Sequence, residues 1–257
     1  MLWIELEGAV NIRDVGGIPT TDGGTTARNQ LLRADNLQDL SRRDLDYLVG
    51  TVGLSTVVDL RTAKEIEAEG PAPLRKYAHI RHVHHSLLPE GDEARPDALL
   101  TRGRERNGRR ENGDHGDHTV SSYLGFVAHR PDSIVGALRA ITTSPGPALV
   151  HCAAGKDRTG VVVAFALTVA GAEREAIVRD YAATAERIEA ILRRLRASAT
   201  YAEDIDRVPL DHHTPRAESM ARFLDQVDQH YGGVLDYLGT HGFGADDAAR
   251  LRDKLRA

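Results

Sequence analysis

The chain has 257 residues, of which 41% are hydrophobic and 28% are charged. This composition is that of a globular protein with a sizeable core, and it excludes a disordered tail protein, a collagen and a simple coiled coil. The formal net charge of −5 provides no overall positive field for nonspecific binding to nucleic acid. We therefore expect no nucleic-acid partner, and the sequence leaves the oligomeric state open.

The first predicted elements alternate between helix and strand. Ser41 occupies a helix N-cap position, and an acidic residue follows three positions later. The β-branched segment Ser55–Leu60 is almost wholly apolar, which is typical of a strand buried on both faces. A second strand is predicted at Ala78–Val83. Pro131 then suits the first turn of another helix.

The second half of the chain continues this alternation. Ala148–His151 is predicted to be a short buried strand, and Val161–Ala170 to be an apolar helix that ends at Gly171. Charged helices are predicted at Glu173–Ala197, Arg216–His230 and Asp246–Leu255. This pattern favours an α/β fold with a central, largely parallel sheet flanked by helices. We predict that residues 1–257 form one such domain, with extra helices toward its C-terminal end.

One segment departs from the alternation. Residues 101–118 contain four glycines, five arginines and no aliphatic side chain, so they have nothing to bury in a core. A long stretch of this kind is typical either of a disordered insertion or of a lid over a binding site. We expect a flexible loop here, and the sequence does not decide between those two roles.

The cellular compartment is indicated by the cysteine content. Cys152 is the single cysteine, so neither an intramolecular disulfide nor a four-cysteine zinc site can form. The first residues do not have the pattern of a signal peptide, and the ten apolar residues Val161–Ala170 are about half of a membrane span. We expect a cytoplasmic protein with no integral membrane segment, and export without a cleaved signal is the alternative.

The strongest chemical signal is the segment His151–Gly160, which lies between a predicted strand and a predicted helix. Such a unit directs loop N–H groups and a helix N-terminus toward one point, which makes an anion site. Arg158 follows Cys152 by six positions, and its planar guanidinium can clamp a phosphate. The same positive field favours the thiolate of Cys152. The substrate-binding residues predicted in this segment are Ala153, Ala154, Gly155, Lys156 and Thr159.

Other interpretations of this loop fit less well. A nucleotide-binding P-loop requires serine or threonine directly after Gly155-Lys156 and glycine in place of Val150, and neither is present. A cysteine can also belong to the hydrophobic core, but a core position does not require charged residues and glycines around it. Two alternatives are kept: a non-catalytic phosphate-binding module on the same scaffold, and a metal-dependent hydrolase.

The loop resembles the Cys-x5-Arg signature of the protein tyrosine phosphatase superfamily. Its Ala-Gly-Lys-Asp-Arg-Thr-Gly form is similar to that of a bacterial branch which includes a secreted mycobacterial tyrosine phosphatase. Further segments that resemble this branch are Asn11–Gly17, Leu32–Asp35, Asp59–Thr62 with Glu65 beyond it, Ile177–Tyr181 and Tyr231–Leu238. The resemblance therefore covers nearly the whole chain.

The resemblance implies a cysteine-dependent phosphatase that acts in two steps without a metal or another cofactor. Cys152 attacks phosphorus and forms a cysteinyl-phosphate, while Arg158 and the loop N–H groups hold the equatorial oxygens. Water then releases phosphate, and the Thr159 hydroxyl is placed to bond the departing thiolate. The expected substrate is phosphotyrosine in a protein, with phosphoserine, phosphothreonine or a phosphoinositide as alternatives.

The resemblance does not identify the general acid. Many members of the superfamily carry the acid in a Trp-Pro-Asp loop, which this sequence lacks, since Trp3 is its only tryptophan. Asp157 is our prediction because it lies within the phosphate loop. Asp59 at a strand end is the second candidate, although a salt bridge or turn cap explains it equally well. Further candidates in the region of the predicted lid are Asp92, Asp97, Asp114 and Asp117.

Supporting roles are predicted for residues around the loop. Arg13 and Asp14 either brace it from outside or belong to an ordinary turn. His151 is expected to support the nucleophile that follows it, and Lys156 either adds charge to the phosphate site or is solvated. The sequence contains no helical His-Glu-x-x-His arrangement, so we predict no metal site. The histidines considered for that role are His82, His84, His85, His115, His118, His212 and His213.

Overall fold

The computed structural model describes residues 1–89, 118–205 and 210–257. Residues 101–117 of the predicted flexible loop lie outside the described residues. The same is true of five predicted site candidates, namely Asp92, Asp97, Asp114, Asp117 and His115.

Six strands form one sheet within the described residues. In chain order they are β1 (Leu2–Trp3), β2 (Arg13–Asp14), β3 (Leu31–Ala34), β4 (Thr56–Asp59), β5 (Arg81–His84) and β6 (Ala148–His151). The order across the sheet is β1-β2-β3-β6-β4-β5, in which β3, β6, β4 and β5 are parallel and the β1-β2 and β2-β3 pairs are antiparallel. The prediction of an α/β fold with a largely parallel sheet is confirmed.

Helices cover the sheet and extend beyond it. In chain order they are α1 (Arg42–Asp46), α2 (Ala63–Glu69), α3 (His118–His129), α4 (Pro131–Thr142), α5 (Asp157–Val169), α6 (Arg174–Ala182), α7 (Ile188–Ala197), α8 (Ala202–Ile205), α9 (Leu210–His213), α10 (Ala217–Tyr231), α11 (Val234–Thr240) and α12 (Ala245–Leu255). Within the three described ranges, no helix combines the length and the apolar character needed to span a bilayer.

Two apolar cores lie on opposite faces of the central strands. Val58 and Val150 belong to the larger core, which also contains side chains of α3 to α6 and α10 to α12. Val57 and Leu149, one position earlier in each strand, belong to a smaller core built with N-terminal residues. Successive side chains of a strand point to opposite faces, so these strands are buried on both sides, as predicted.

The carboxyl ends of the three central strands lie side by side. Ala34 of β3 is in register with His151 of β6, and His151 is in register with Asp59 of β4. Ligands of open α/β sheets bind beyond this edge. The segment that follows β6, which begins at Cys152, therefore leaves the sheet between the segments that follow β3 and β4.

Several local predictions are confirmed because neighbouring residues alone determine them. Ser41 caps α1 through a capping box with Asp44, and Pro131 occupies the first turn of α4. Gly171 has φ +79° just after the end of α5, a left-handed conformation that suits glycine.

Three predicted boundaries are wrong. The strand expected at Ala78–Val83 is β5 at Arg81–His84, because Ile80 N donates to Tyr77 O at 3.0 Å and residues 77–80 form a turn. The helix expected at Val161–Ala170 begins already at Asp157. The helix expected at Glu173–Ala197 is α6 and α7, separated by the 3-10 segment Ala183–Arg187.

Candidate active site

The phosphate-loop candidate connects the central strand β6 to the N-terminus of α5. Gly155 in this loop has φ +65°, and a Cβ at that position would lie 2.3 Å from the carbonyl oxygen of Ala34. Glycine is therefore required both by the backbone conformation and by the space available. The early start of α5 places Asp157, Arg158 and Thr159 in its first turn, where the helix N-terminus favours an anion.

Three consecutive carbonyl groups of the loop face away from the site. In a trans peptide the C=O and the following N–H point in opposite directions, and no cis peptide is present in the described residues. The N–H groups of Ala154, Gly155 and Lys156 are consequently directed toward the other side of the loop, which is the arrangement expected of an anion cradle. The outward bonds are Asn36 N to Ala153 O at 2.9 Å, Asn11 Nδ2 to Ala154 O at 2.9 Å and Arg33 Nη2 to Gly155 O at 2.8 Å.

Cys152 follows the last residue of β6, opens this loop and is buried. The hydroxyl of Thr159, also buried, donates to Cys152 Sγ at 3.2 Å. A hydroxyl donor at this distance stabilises negative charge on the sulfur. The contact has the geometry that the sequence led us to expect for Thr159.

The guanidinium of Arg158 is held by a buried carboxylate. Its Nη1 and Nη2 donate to Glu65 Oε2 and Oε1 at 2.7 and 2.9 Å. Glu65 is itself fixed by the capping box of α2, in which Thr62 N donates to Oε2 at 2.7 Å. Burial opposes both charges, but each partner outweighs it: the pKa of Glu65 is lowered and that of Arg158 is raised. Arg158 is thus a permanent, oriented cation beside the cradle.

A second buried ion cluster supports the loop from below. Asp180 Oδ1 accepts from Arg13 Nε at 2.9 Å, and Asp180 Oδ2 accepts from Arg33 Nη1 at 2.6 Å. Burial alone would raise the pKa of Asp180, but the two arginines hold it below its usual value. Burial lowers the pKa of Arg13 to about 10, so Arg13 is still charged at neutral pH. Three of the segments that resemble the bacterial branch, those that contain Arg13, Arg33 and Asp180, therefore meet beneath the loop.

Arg13 and Asp14 have different surroundings. Arg13 does not bond the loop itself; its Nη1 donates to Asn11 Oδ1 at 2.7 Å, and Asn11 bonds the loop. Asp14 accepts from Gly16 N at 2.8 Å and from Asn29 N at 2.9 Å. The structure thus places Arg13 in the network that braces the loop, whereas Asp14 ends β2 and its carboxylate binds the turn that follows this strand.

Asp157 lies at the rim of the site, and its side chain is 38% exposed. Its Oδ1 accepts from Tyr123 Oη at 2.6 Å. Lys156 Nζ is 3.6 Å from Asp157 Oδ2 and donates to the carbonyl oxygen of His213 at 2.7 Å. The loop lysine therefore reaches helix α9, which follows the helices that cover the loop.

Asp59 is enclosed on all sides by other contacts. Its carboxylate accepts from Arg61 Nε at 3.0 Å and from Arg61 Nη2 at 2.6 Å, and His151 Nε2 lies 3.5 Å away. Burial raises the pKa of Asp59, but the neighbouring His151 and Arg61 outweigh it and hold the pKa well below the usual range. Burial also lowers the pKa of His151 to about 4, so this ring is neutral at neutral pH.

Helices α7 and α8 cover the loop. Ile191 and Leu195 of α7 and Ile205 of α8 belong to an apolar cluster with Ala153, and Ala154 packs against it. A cavity of about 370 Å³ lies beside Ala153, between α2 and α7. Within the described residues the loop is therefore covered by α7 and α8, whereas the sequence indicated residues 101–118 as the candidate for a lid.

Two of the histidines considered as metal ligands lie against backbone carbonyl groups. His84 Nε2 lies 2.6 Å from Arg61 O, and His82 Nε2 lies 3.3 Å from Leu74 O. Nowhere in residues 1–89, 118–205 or 210–257 do three His, Cys, Asp or Glu side chains form a group that could hold a metal ion. The expectation of no metal and no cofactor stays a prediction.

The segment from Cys152 to Arg158 has the parts of a cysteine-dependent phosphatase. They are a buried thiol at the end of a central strand, an oriented guanidinium in the first turn of the next helix, and N–H groups between them. The sequence model described as "Tyrosine phosphatase family" matches residues 4–257. The chain belongs to this family and is a hydrolase of phosphoric monoesters that uses a cysteine nucleophile.

Named relatives agree with this assignment. The triple specificity protein phosphatase PtpB of Mycobacterium tuberculosis is 29% identical over an alignment that covers 98% of each chain. A tyrosine-protein phosphatase of Nostoc commune is 28% identical over 93% of this chain and 82% of its own. Among solved structures, the Siw14 catalytic core covers 89% of this chain and 98% of its own, at 12% identity and a TM-score of 0.37. The family assignment does not depend on this last, distant similarity.

Proposed function

We propose that the protein hydrolyses phosphotyrosine in proteins through a cysteinyl-phosphate on Cys152. The observation that carries this proposal is the outward bonding of three loop carbonyls, which turns the following N–H groups toward the opposite side of the loop and leaves them available to an anion. In the first step the Sγ–P bond forms, the P–O bond to tyrosine breaks, and the leaving oxygen takes a proton. In the second step water attacks phosphorus and gives a proton to the Asp157 carboxylate, and the Sγ–P bond breaks with its electron pair on the Cys152 thiolate.

Arg158 and Thr159 have separate roles in these steps. The guanidinium of Arg158, held in position by Glu65, binds two of the three equatorial phosphoryl oxygens. In the transition state the negative charge of the phosphoryl group is spread over these three oxygens. Thr159 bonds the thiolate that the second step releases. Both roles require only groups that already stand in place, so little reorganisation precedes the chemistry.

Asp157 is the general acid in this proposal. Its carboxyl group stands at the rim of the phosphate loop and is partly exposed, so it can reach a leaving oxygen and exchange protons with water. Asp59 is buried and held by the Arg61 fork, which stabilises its ionised form and occupies both of its oxygens. This contrast supports Asp157 over Asp59.

The proposed substrate range extends beyond phosphotyrosine. The name of the mycobacterial relative speaks of triple specificity, and Lys156 adds a positive charge next to the cradle that suits phosphoinositides as well as phosphoserine and phosphothreonine. Release of phosphate from a phosphotyrosine peptide, a matched phosphoserine peptide and a short-chain phosphoinositide should be compared. We expect kcat/KM to be highest for the phosphotyrosine peptide. A higher value for either of the others would overturn that assignment.

The catalytic residues are tested by two variants. Cys152→Ser should abolish turnover of p-nitrophenyl phosphate but retain binding of inorganic phosphate within about threefold, because the N–H cradle and Arg158 are unchanged. Arg158→Lys should lose at least about 100-fold in kcat/KM, since an ammonium cannot form the bidentate fork. Arg179→Lys, an exposed arginine on α6, is the matched control. Turnover by the serine variant, or a lysine variant equal to its control, would refute these roles.

We further propose a cytoplasmic location, because a reducing compartment keeps the Cys152 thiolate available for attack. Fractionation of the source cells tests this, and enzyme found only in the medium would contradict it.

A further inference from the structure

A chain of two buried phenols ends on the proposed general acid. Tyr123 Oη lies 2.6 Å from Asp157 Oδ1 and 2.7 Å from Tyr181 Oη. These three residues come from α3, α5 and α6, and both phenol rings are 1% exposed. The cluster lies beside the phosphate loop and none of the roles described above involves the two tyrosines.

The direction of these hydrogen bonds follows from the number of protons. A carboxylate can only accept, so the single phenolic proton of Tyr123 is donated to Asp157 Oδ1. The bond between the two phenols must then use the proton of Tyr181. Burial and the neighbouring Asp157 raise the pKa of Tyr123 well above its ordinary value, so this phenol stays a neutral donor throughout the working pH range.

The two ends of the Tyr123–Asp157 bond differ in mobility. The ring of Tyr123 is packed against Phe223, Tyr181 and Phe126 at centroid distances of 5.5, 6.1 and 5.9 Å. Asp157 begins α5 at the rim of the site, and its side chain is 38% exposed. A buried, immobilised donor therefore holds a carboxylate that would otherwise rotate into solvent.

Burial of Tyr123 does not by itself explain the bond to Asp157. The proton of a buried phenol needs one acceptor, and the Tyr123 proton has the Tyr181 oxygen within reach at 2.7 Å as an alternative to Asp157. The bond from Tyr123 to the partly exposed Asp157 carboxylate is therefore not required to bury the phenol, and it needs another explanation.

We propose that Tyr123 is the positioning residue of the general acid, holding Oδ1 of Asp157 so that Oδ2 carries and delivers the proton. This inference rests on the proposed role of Asp157. Proton delivery matters most for poor leaving groups, because a good leaving group departs as an anion. Loss of the Tyr123 hydroxyl should therefore slow phenyl phosphate much more than p-nitrophenyl phosphate.

The test is a double-mutant cycle with Tyr123→Phe and Asp157→Asn, read as kcat/KM for both aryl phosphates. Asp157→Asn should lose about 100-fold or more on phenyl phosphate, the usual size of general-acid catalysis. Tyr123→Phe should lose roughly tenfold on phenyl phosphate through misplacement of the acid, and less than about threefold on p-nitrophenyl phosphate. In the Asp157→Asn background, Tyr123→Phe should cause no further loss.

Tyr181→Phe is the matched control, because it removes a phenol from the same buried cluster without removing the bond to Asp157. We expect this variant to lose less than about threefold on either substrate. Thermal midpoints and phosphate inhibition constants of all variants verify that the fold and the cradle are intact. Equal losses for Tyr123→Phe in both backgrounds, or equal losses for the two tyrosine variants, would overturn the inference alone. If Asp157→Asn itself shows no leaving-group effect, the proposed acid fails and the positioning role fails with it.

Discussion

Replacing Glu65 by glutamine perturbs the phosphate site without touching a residue that meets the substrate. The carboxylate of Glu65 accepts both arms of the Arg158 fork at 2.7 and 2.9 Å. A glutamine of the same shape has one acceptor and one donor. When the amide oxygen of this glutamine accepts from Thr62 N, its NH₂ group faces an N–H of the Arg158 guanidinium. The buried arginine also loses its counter-charge.

The structure allows the size of this effect to be estimated. The side chains of Arg158 and Glu65 are 11% and 5% exposed, so water does little to screen the lost interaction. Removing one partner of such a buried pair costs about 3–5 kcal/mol of unfolding free energy. For a chain of this length that is a decrease in Tm of about 6–20 °C. The freed guanidinium also loses its orientation, so kcat/KM should fall by about 10- to 100-fold.

The assays are thermal unfolding and steady-state hydrolysis of p-nitrophenyl phosphate. Glu67→Gln is the matched control, since Glu67 lies on the same helix α2 with the same charge but is exposed. Exposed charges contribute about 0–1 kcal/mol, so the control should stay within about 3 °C of the parent protein. A Glu65→Gln protein that matches this control in Tm and in kcat/KM would refute the claim that Glu65 orients Arg158.

The same pair predicts a pH dependence of stability. In the folded protein Arg158 and Thr62 lower the pKa of Glu65 below 4.5, despite its burial. Its contribution is therefore fully present above pH 4.5 and is lost as the pH falls through the lower, folded-state pKa. The difference in unfolding free energy between the parent and Glu65→Gln should be constant near neutral pH and should shrink in acid. A difference that grows in acid would contradict this.

Three further predictions concern the loop and its supports. Gly155→Ala should lose phosphate binding and at least about 2 kcal/mol of unfolding free energy, because the backbone is left-handed here and a Cβ would lie 2.3 Å from the carbonyl oxygen of Ala34. Equilibrium denaturation measures the loss, and a stable, active variant would disprove it. Asp180→Asn should lose about 3 kcal/mol by leaving two buried arginines without a counter-charge, measured in the same way; a loss below about 1 kcal/mol would count against the cluster. Thr159→Val should lower kcat about 10-fold or more, because the Cys152 thiolate leaves the cysteinyl-phosphate without its hydroxyl donor. Breakdown of this intermediate then becomes the slow step, so the initial burst of product should be larger. An unchanged burst in stopped-flow kinetics would rule this out.

The sequence was most informative where function depends on neighbours along the chain. Cys152 and Arg158 are joined by a loop between a strand and a helix, so their relation follows from local structure. The capping box at Ser41 and the glycine that ends α5 are of the same kind. Even here the position of the helix start was misjudged by about four residues, because Asp157, Arg158 and Thr159 are polar and do not continue the apolar pattern of α5.

The residues that hold the site come from distant parts of the chain, which one sequence does not bring together. Glu65 is 93 positions from Arg158, and Asp180 is 167 positions from Arg13. A signal for Glu65 was present, since Thr62 and Glu65 have the spacing of a capping box after a predicted strand. Tyr123 gave no signal, because a tyrosine in an amphipathic helix is ordinarily a core residue.

The central claim, a covalent intermediate on Cys152, is tested most directly by trapping it. Enzyme mixed with excess p-nitrophenyl phosphate should be quenched during the burst and the peptides analysed by mass spectrometry. The peptide that contains Cys152 should carry one phosphoryl group in an amount that matches the nitrophenol released in the burst, and more of it should accumulate in Thr159→Val. A burst matched by a phosphoryl group on any other residue, or by free phosphate in equal amount, would contradict the mechanism.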